Sequence, residues 1–375
     1  MRPVTVIILH PEAPAGSGPL GRALEAARRE LAERQRGGFM AAGADEVRVV
    51  AGPPDGISFG ERLVAQLRSR SHRDLGGLIV LGSGSIPLAR PDDLSRLVAV
   101  AAGPAGQALA NNRYSADVVA VGRAADILEL PPLPADNALP RWLAEVAGVA
   151  VADMRSRWQL GVDIDSPLDL VLIRLADPGL DAGHGPDRLG DLATAVQHRL
   201  EQVARVLHDR RGELFVAGRI SASTLRWLER GAACRVRALV EERGLRASSA
   251  LAQSGIAAEA RPSRSILGRL LEREGPGSLA RAASELGDAA VIDSRVLLAH
   301  RLGADESAWP AAEDRFASDL LLPASIADPW LRELTQSALD GNVVLGGHTL
   351  LNGGLRLLAG GTSRRTGPGR AVPPA

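Results

Sequence analysis

The residues best suited to chemistry lie in Gly161-Val162-Asp163-Ile164-Asp165-Ser166-Pro167-Leu168-Asp169-Leu170. Asp163 and Asp165 are two apart, so on an extended strand their carboxylates share a face. Paired carboxylates at a strand's end can hold a divalent cation against phosphate oxygens, which makes these two the candidate catalytic and metal-ligating residues. The same letters also read as local structure. Ser166 is a good N-cap, Pro167 suits the first helical position, and Asp169 sits where the acid of a capping box sits. A capped helix after a strand and a metal site both fit the segment.

All forty-four basic residues of this 375-residue chain are arginine. Without lysine there is no Schiff base, no P-loop lysine and no lysine general base. Phosphate would have to be met by arginine, backbone N–H groups or a metal. Forty-four acidic residues balance the arginines, so no net field draws the chain to nucleic acid or to an anionic membrane. The single Cys234 excludes an internal disulfide and any multi-cysteine zinc or iron–sulfur site. The apolar run Val4–Leu9 is too short for a signal peptide, and no run reaches transmembrane length. The expected location is the cytoplasm, with neither nucleic acid nor membrane as partner.

The elements that must position these residues alternate. Val4–Leu9, Glu46–Ala51, Leu78–Leu81, Asp117–Val121 and the segment ending at Asp163 read as strands. Helical spacing separates them, at Leu20/Leu24/Ala27/Leu31, Phe59–Leu67, from Asp92 onward, around Trp142, and at Pro167–Leu175. Glu213–Ala217, Arg235–Val240, Ala289 onward and Val343–Leu345 repeat the pattern. The fold expected is α/β, Rossmann-like, with a mostly parallel three-layer sheet and a second α/β domain. Its divisions are 1–176, a linker and connecting helix over 177–210, the second domain over 211–360, and a disordered tail over 361–375. Ligands of such sheets sit beyond the strands' carboxyl ends, where Pro11–Arg22, Gly82–Pro87 and Asp163–Ser166 are expected to converge.

Three segments carry a resemblance. Asp163-Ile164-Asp165-Ser166-Pro167-Leu168-Asp169-Leu170 is similar to an Asp-x-Asp-Thr-Pro-Glu-Asp-Leu segment. Leu81-Gly82-Ser83-Gly84-Ser85-Ile86-Pro87-Leu88 looks like a central strand ending in Asp-x-Pro-Leu. Gly43-Ala44-Asp45-Glu46-Val47-Arg48-Val49-Val50 looks like a strand entered through a Gly-Ala turn. In this order they resemble the late, central and second-strand motifs of the molybdenum-cofactor and phospholactate guanylyltransferase superfamily. The likeness covers residues 1–175. It implies a GT-A-like nucleotidyltransferase fold, Mg²⁺ or Mn²⁺ at Asp163 and Asp165, and metal-dependent transfer of a nucleotidyl group from a nucleoside triphosphate to a small phosphorylated or sugar-like acceptor.

By the same resemblance, Gly16, Gly18, Gly21 and Arg22 fall on the family's phosphate loop, and a glycine turn before a helix suits an anion. Ser85 falls on its central metal-holding aspartate, and its lysine has no counterpart. Asn112, Arg113, Tyr114, Asp117 and Asn137 would line the acceptor or base side; Tyr114 is the chain's only tyrosine. The alternative is a catalytically degenerate protein that binds a nucleotide or nucleotide sugar in a regulatory or partner-subunit role. A glycosyltransferase using the same Asp-x-Asp pair is a third reading, and a homodimer is compatible with all three.

The second half matches no family pattern. Gly346-Gly347-His348 after a strand could cradle an anion, place a base, or form a turn with a solvated histidine. Glu241-Glu242-Arg243 reads as a salt-bridged surface loop or as part of a site with Arg264. Asp293, His300, Asp314 and Asp319 are metal-binding residue types at spacings that match no standard ligand pattern. Trp227, Trp309 and Trp330 read as core or interface anchors.

Overall fold

The computed structural model describes residues 2–53, 56–68, 76–133, 136–176, 189–242 and 262–360. The tail expected at 361–375, the Gly/Asp/Pro-rich stretch 177–188 and Arg243 lie outside these residues. The described residues form two sheets. The first has six strands: β1 (Val4–Pro11), β2 (Glu46–Gly52), β3 (Gly77–Gly82), β4 (Gln107–Ala110), β5 (Val118–Val121) and β6 (Ala150–Asp153). Their order is β2-β1-β3-β5-β4-β6, parallel throughout except for the two pairings of β5. The second sheet, β7 (Glu213–Gly218), β8 (Arg235–Val240), β9 (Ala289–Asp293) and β10 (Val343–Gly346), is parallel throughout, in the order β10-β9-β7-β8.

Composition explains the strands. β1, β3, β7 and β9 are runs of Val, Ile, Leu, Phe and Ala buried almost from end to end, as strands covered on both faces require. The helices of the first half are α1 (Pro19–Ala41), α2 (Phe59–Arg68), α3 (Pro91–Ala101), α4 (Leu139–Glu145) and α5 (Pro167–Ala176). Those of the second are α6 (Thr194–His208), α7 (Ala222–Gly231), α8 (Ile266–Glu274), α9 (Leu279–Ser284), α10 (Ser294–Leu302), α11 (Ala312–Asp319), α12 (Pro329–Asp340) and α13 (Leu355–Leu358).

One apolar cluster joins the halves. Leu20, Leu24, Ala27 and Leu31 of α1 and Leu168, Leu170, Val171, Leu172 and Ile173 of α5 share it with the strands of the second sheet. α5 is apolar on nearly all sides, the pattern of a helix with no solvent face. It packs against α1, α6, α11 and α13. α6 packs on β7, β9 and β10.

One local expectation is corrected, and three short elements were not read from the sequence. No regular strand runs to Asp163. A 3-10 turn at Trp158–Gly161 precedes it, and Asp163 pairs only through a single bridge to Ser85. The alternation Leu160, Val162, Ile164 imitates a strand, but Leu160 is buried in the first-sheet cluster while Val162 and Ile164 enter the shared one. β4 and β6 escaped notice because each is a four-residue, alanine-containing strand with little β-propensity. α11 was also missed, and it brings Glu313, Asp314 and Asp319 into the fold.

The first sheet reverses strand order between β1 and β3, the second between β7 and β9. These are the switch points where open sheets bind ligands. Pro11 and Gly82 at the ends of β1 and β3, Arg219 after β7 and Gly347 after β10 line one cavity of about 590 Å³. The carboxyl ends of both sheets therefore face a common space.

Candidate functional site

The site is built on the Ser85–Asp163 bridge. The Ile164 N–H donates to the Gly84 carbonyl at 2.9 Å. A Cβ on Gly84 would lie 2.7 Å from the Ile164 oxygen, so only glycine permits this approach. Two residues after Gly84, Ile86 is buried with φ at +46°, a costly conformation for a β-branched residue that packing must enforce. Buried His10 ties this loop to β1 and α1: its Nδ1 is 3.0 Å from Ser83 Oγ and its Nε2 is 2.9 Å from Glu25 Oε1.

Asp163 is buried, and its Oδ1 accepts the Thr349 hydroxyl. His348 Nε2 lies 3.6 Å from the same oxygen. Asp165 is exposed and held by Arg28, whose Nη2 is 3.1 Å from Oδ1 and whose Nε donates to the Ile164 carbonyl at 2.6 Å. Ligand atoms of Asp163, Asp165 and His348 all lie within 4.8 Å of one another, so the three could hold a metal ion. Burial, with the carboxylates of Asp165, Asp117 and Asp169 nearby, pushes Asp163 well above the ordinary carboxylate range; the Thr349 hydroxyl opposes this. A cation there would reverse the penalty.

Asp169 supplies the acid half of the capping box read from the sequence, while the Ser166 hydroxyl donates to the same carboxylate at 3.1 Å and accepts no helix N–H among the described residues. Its Oδ2 accepts the Asp165 N–H at 2.9 Å and the Ser166 N–H at 2.7 Å. Burial and the neighbouring Asp165 still push it up to about 7. The segment thus combines carboxylates that could hold a metal ion with a helix start held by a third carboxylate.

The second half fills the remaining wall with ion pairs. Arg219 Nε donates to Asp293 Oδ2 at 2.6 Å, and Arg295 meets Asp319 through both terminal nitrogens at 2.5 and 2.6 Å. Burial works against the Arg295 charge, but Asp319, Asp293 and Asp169 outweigh it and hold its pKa above the usual guanidinium value. Asp314 accepts the Ala327 and Asp328 N–H groups, and His300 Nδ1 accepts the Ser265 N–H. Asp293, His300, Asp314 and Asp319 therefore each have structural partners, and they do not form a metal-holding group among the described residues, in keeping with spacings that match no ligand pattern. Glu241 receives Ser265 and Ile266 at the start of α8. Trp309 is buried, with its indole N–H donating to the Gly303 carbonyl at 2.9 Å.

The phosphate loop also differs from expectation. Leu20 and Gly21 N–H groups at the start of α1 donate to the Glu313 carboxylate at 2.9 and 3.0 Å. A Cβ on Gly18 would lie 2.2 Å from the Glu313 carboxyl carbon. Arg22 turns back to the Ser17 carbonyl. The glycines Gly16, Gly18 and Gly21 thus serve a turn and a contact between the halves, and an internal anion takes the amides. None of these residues or Arg22 lines either cavity described here. Ser85 does line the 590 Å³ cavity, as do Asp117 and Asn137.

A second cavity, of about 330 Å³, adjoins it, and Ser115, Asp117, Asn137, Arg219 and His348 line both. Asn112 and Tyr114 belong to this second lobe. Arg113 sits over the Tyr114 ring at 5.4 Å, outside the lining, with Arg155 at 5.2 Å and Arg141 at 5.8 Å from the same ring. Asn111 organises the wall: its Nδ2 donates to Asp117 Oδ2 at 2.7 Å, and its Oδ1 accepts the Asp117 N–H at 3.0 Å.

Sequence reasoning did not foresee His348 beside Asp163, or Thr349, Arg28 and Glu313. The Gly-Gly-His signal was visible, but its partner lies 185 residues away along the chain. No family model and no curated protein matches this chain. No described helix is long and apolar enough to cross a membrane.

Proposed function

We propose that the protein is a divergent, metal-dependent nucleotidyltransferase with a GT-A-like first half. The observation that carries this reading is the Asp163–Asp165–His348 group in the wall of a cavity large enough for a nucleotide and lined by Arg28, Arg219, Arg295 and Arg315. Two carboxylates and an imidazole would hold Mg²⁺ or, better given the nitrogen donor, Mn²⁺. The ion would supply charge neutralisation at the phosphates. Each of these arginines is already paired with a carboxylate of the chain, so phosphate would be met through their remaining N–H donors, in place of a lysine. An acceptor phosphate or hydroxyl oxygen, held in the adjoining lobe, would attack the α-phosphorus in line; the bond to the bridging oxygen breaks and pyrophosphate leaves.

One observation favours a second reading. Glu313 occupies the helix N-terminus that would otherwise receive phosphate, which fits a protein that binds a nucleotide or nucleotide sugar without transferring it. Thermal unfolding with nucleoside triphosphates and nucleotide sugars, with and without Mn²⁺ or Mg²⁺, tests both. Native-state binding at about 100 times Kd adds roughly 2.7 kcal/mol. Metal-dependent stabilisation with pyrophosphate release supports transfer. The same stabilisation without release supports binding alone. A flat response across the panel overturns both.

A further inference from the structure

One buried histidine takes no part in the metal group. His10, near the end of β1, is only 3% exposed and sits between a hydroxyl and a carboxylate: its Nδ1 is 3.0 Å from Ser83 Oγ and its Nε2 is 2.9 Å from Glu25 Oε1. Arg29 Nη2 donates to the same Glu25 oxygen at 2.5 Å. An ionised carboxylate only accepts, so Nε2 carries the ring hydrogen and donates it to Glu25. The other nitrogen of the neutral ring then has a lone pair, and Nδ1 accepts from the Ser83 hydroxyl. The three side chains form a serine–histidine–carboxylate relay, in which a base bonded to the nucleophile is itself oriented by an acid.

Ser83 belongs to the wall of the 590 Å³ cavity. It directly follows β3, beside the switch point between β1 and β3. Gly82 and Gly84 flank it, and its N–H donates to the Leu9 carbonyl at 2.9 Å, which fixes its backbone against β1. With Ser83 itself 1% exposed, little water competes for the hydroxyl, and its bond to His10 is correspondingly strong. Gly84 lines the same cavity, and its N–H has no acceptor among the described residues. The residue after a nucleophile is a common source of the N–H that meets a developing oxyanion.

We infer that Ser83 is the nucleophile of a metal-independent acyl transfer, with His10 as its general base and Glu25 orienting the imidazole. His10 does not line the cavity, so it serves the serine and not the leaving group. The substrate class is therefore an acyl donor whose leaving group departs as an anion: a phenyl ester, a thioester or an acyl phosphate. As Oγ bonds the acyl carbon, the Ser83 proton passes to His10 Nδ1. The bond from that carbon to the leaving group breaks, and the leaving group takes the electron pair. Water then attacks the acyl carbon, and Oγ leaves with the proton held by His10. A carboxylic acid is released, and the surplus protons go to solvent. Ser83, His10 and Glu25 share no residue with the Asp163–Asp165–His348 group.

The test is reaction of the full chain with p-nitrophenyl acetate in EDTA, followed by p-nitrophenolate release and by mass mapping of the acetylated peptide. A burst of about one equivalent per chain is expected, with the acetyl group on Ser83. Ser83→Ala should abolish the burst, His10→Gln should slow it about 100-fold and Glu25→Gln about 10-fold. Arg230→Gln, on the exposed face of α7, should change nothing. Glu25 is half-buried, so its variant keeps the test sound if the His10 variant fails to fold. No burst, acetyl groups only on other residues, or full rates in the His10 and Glu25 variants would overturn the inference. Because EDTA removes the metal, failure here leaves the nucleotide reading intact, and failure of the nucleotide panel leaves this one intact.

Discussion

The carboxyl ends of the two sheets treat buried charge in opposite ways. At the second sheet each fully buried carboxylate has its own guanidinium, Asp293 with Arg219 and Asp319 with Arg295. At the first, buried Asp163 and Asp169 form no ion pair with arginine among the described residues and sit near further carboxylates. Both ends contain switch points and face the same cleft. The difference separates structure from chemistry: a neutralised pair has already met its needs, whereas a cluster of buried carboxylates is stable chiefly when protons or a cation join it.

That contrast can be broken by mutation. The largest effect is expected from Arg295→Met, which strands Asp319 at zero exposure; stability should fall by about 3–5 kcal/mol in urea unfolding. A loss below about 1 kcal/mol would mean that the pair is not what holds this end together.

Next comes the pH response of the first sheet's end. Asp169 is raised from 3.8 to about 7, so between those values the unfolded chain has lost a proton that the folded chain keeps. Stability from this group is greatest below the window and is lost as pH rises through it, by up to roughly 4 kcal/mol at about 1.4 kcal/mol per pKa unit. Asp169→Asn should flatten that part of the stability–pH curve between pH 4.5 and 7.5. An unchanged slope would assign the titration elsewhere.

Asp163→Asn should cost about 100-fold in Mn²⁺ affinity, close to 2.7 kcal/mol, while leaving metal-free stability equal or higher because a buried charge is gone. Lower stability with unchanged Mn²⁺ affinity would make Asp163 a structural residue like Asp293. His348→Gln removes the second half's donor and should cost about 10-fold in Mn²⁺ affinity. If the loss is absent, the metal group belongs to the first half alone. The smallest effect is expected at the contact between α1 and α11: Glu313→Gln weakens a charge–helix contact worth roughly 0.5–1 kcal/mol, read by thermal unfolding. If the variant also gains phosphate affinity, Glu313 is a competitor for an anion site.

Much of the local structure was legible. Helix α5 announced itself through Ser166, Pro167 and Asp169, and Asp169 accepts the Ser166 N–H as read, although the Ser166 hydroxyl donates to that carboxylate instead of capping an N–H. β1, β3, β7 and β10 were readable because buried parallel strands are continuous apolar runs. β4 and β6 were not, since four residues carry too little pattern. Of the residues lining the two cavities, Asp163 and Asp165 could be singled out from spacing alone, and Tyr114, Asp117 and Asn137 from their polar loops. The Gly16–Arg22 loop was misjudged for a physical reason: free helix amides attract any anion, and the nearest one proved to be the chain's own Glu313.

Composition and local pattern by themselves determined that this chain alternates strands and helices, that it has only arginine for cationic work, and that two carboxylates stand two residues apart before a capped helix. These depend on contacts within a few residues. Only the tertiary structure decided which carboxylates are neutralised and which are not, that His348 and Thr349 reach Asp163, and that Arg356 is buried without a carboxylate partner among the described residues. In a chain with forty-four arginines and forty-four acids, pairing follows from which residues the packed elements bring together, as α10 and α11 do for Arg295 and Asp319, and sequence separation carries no record of that.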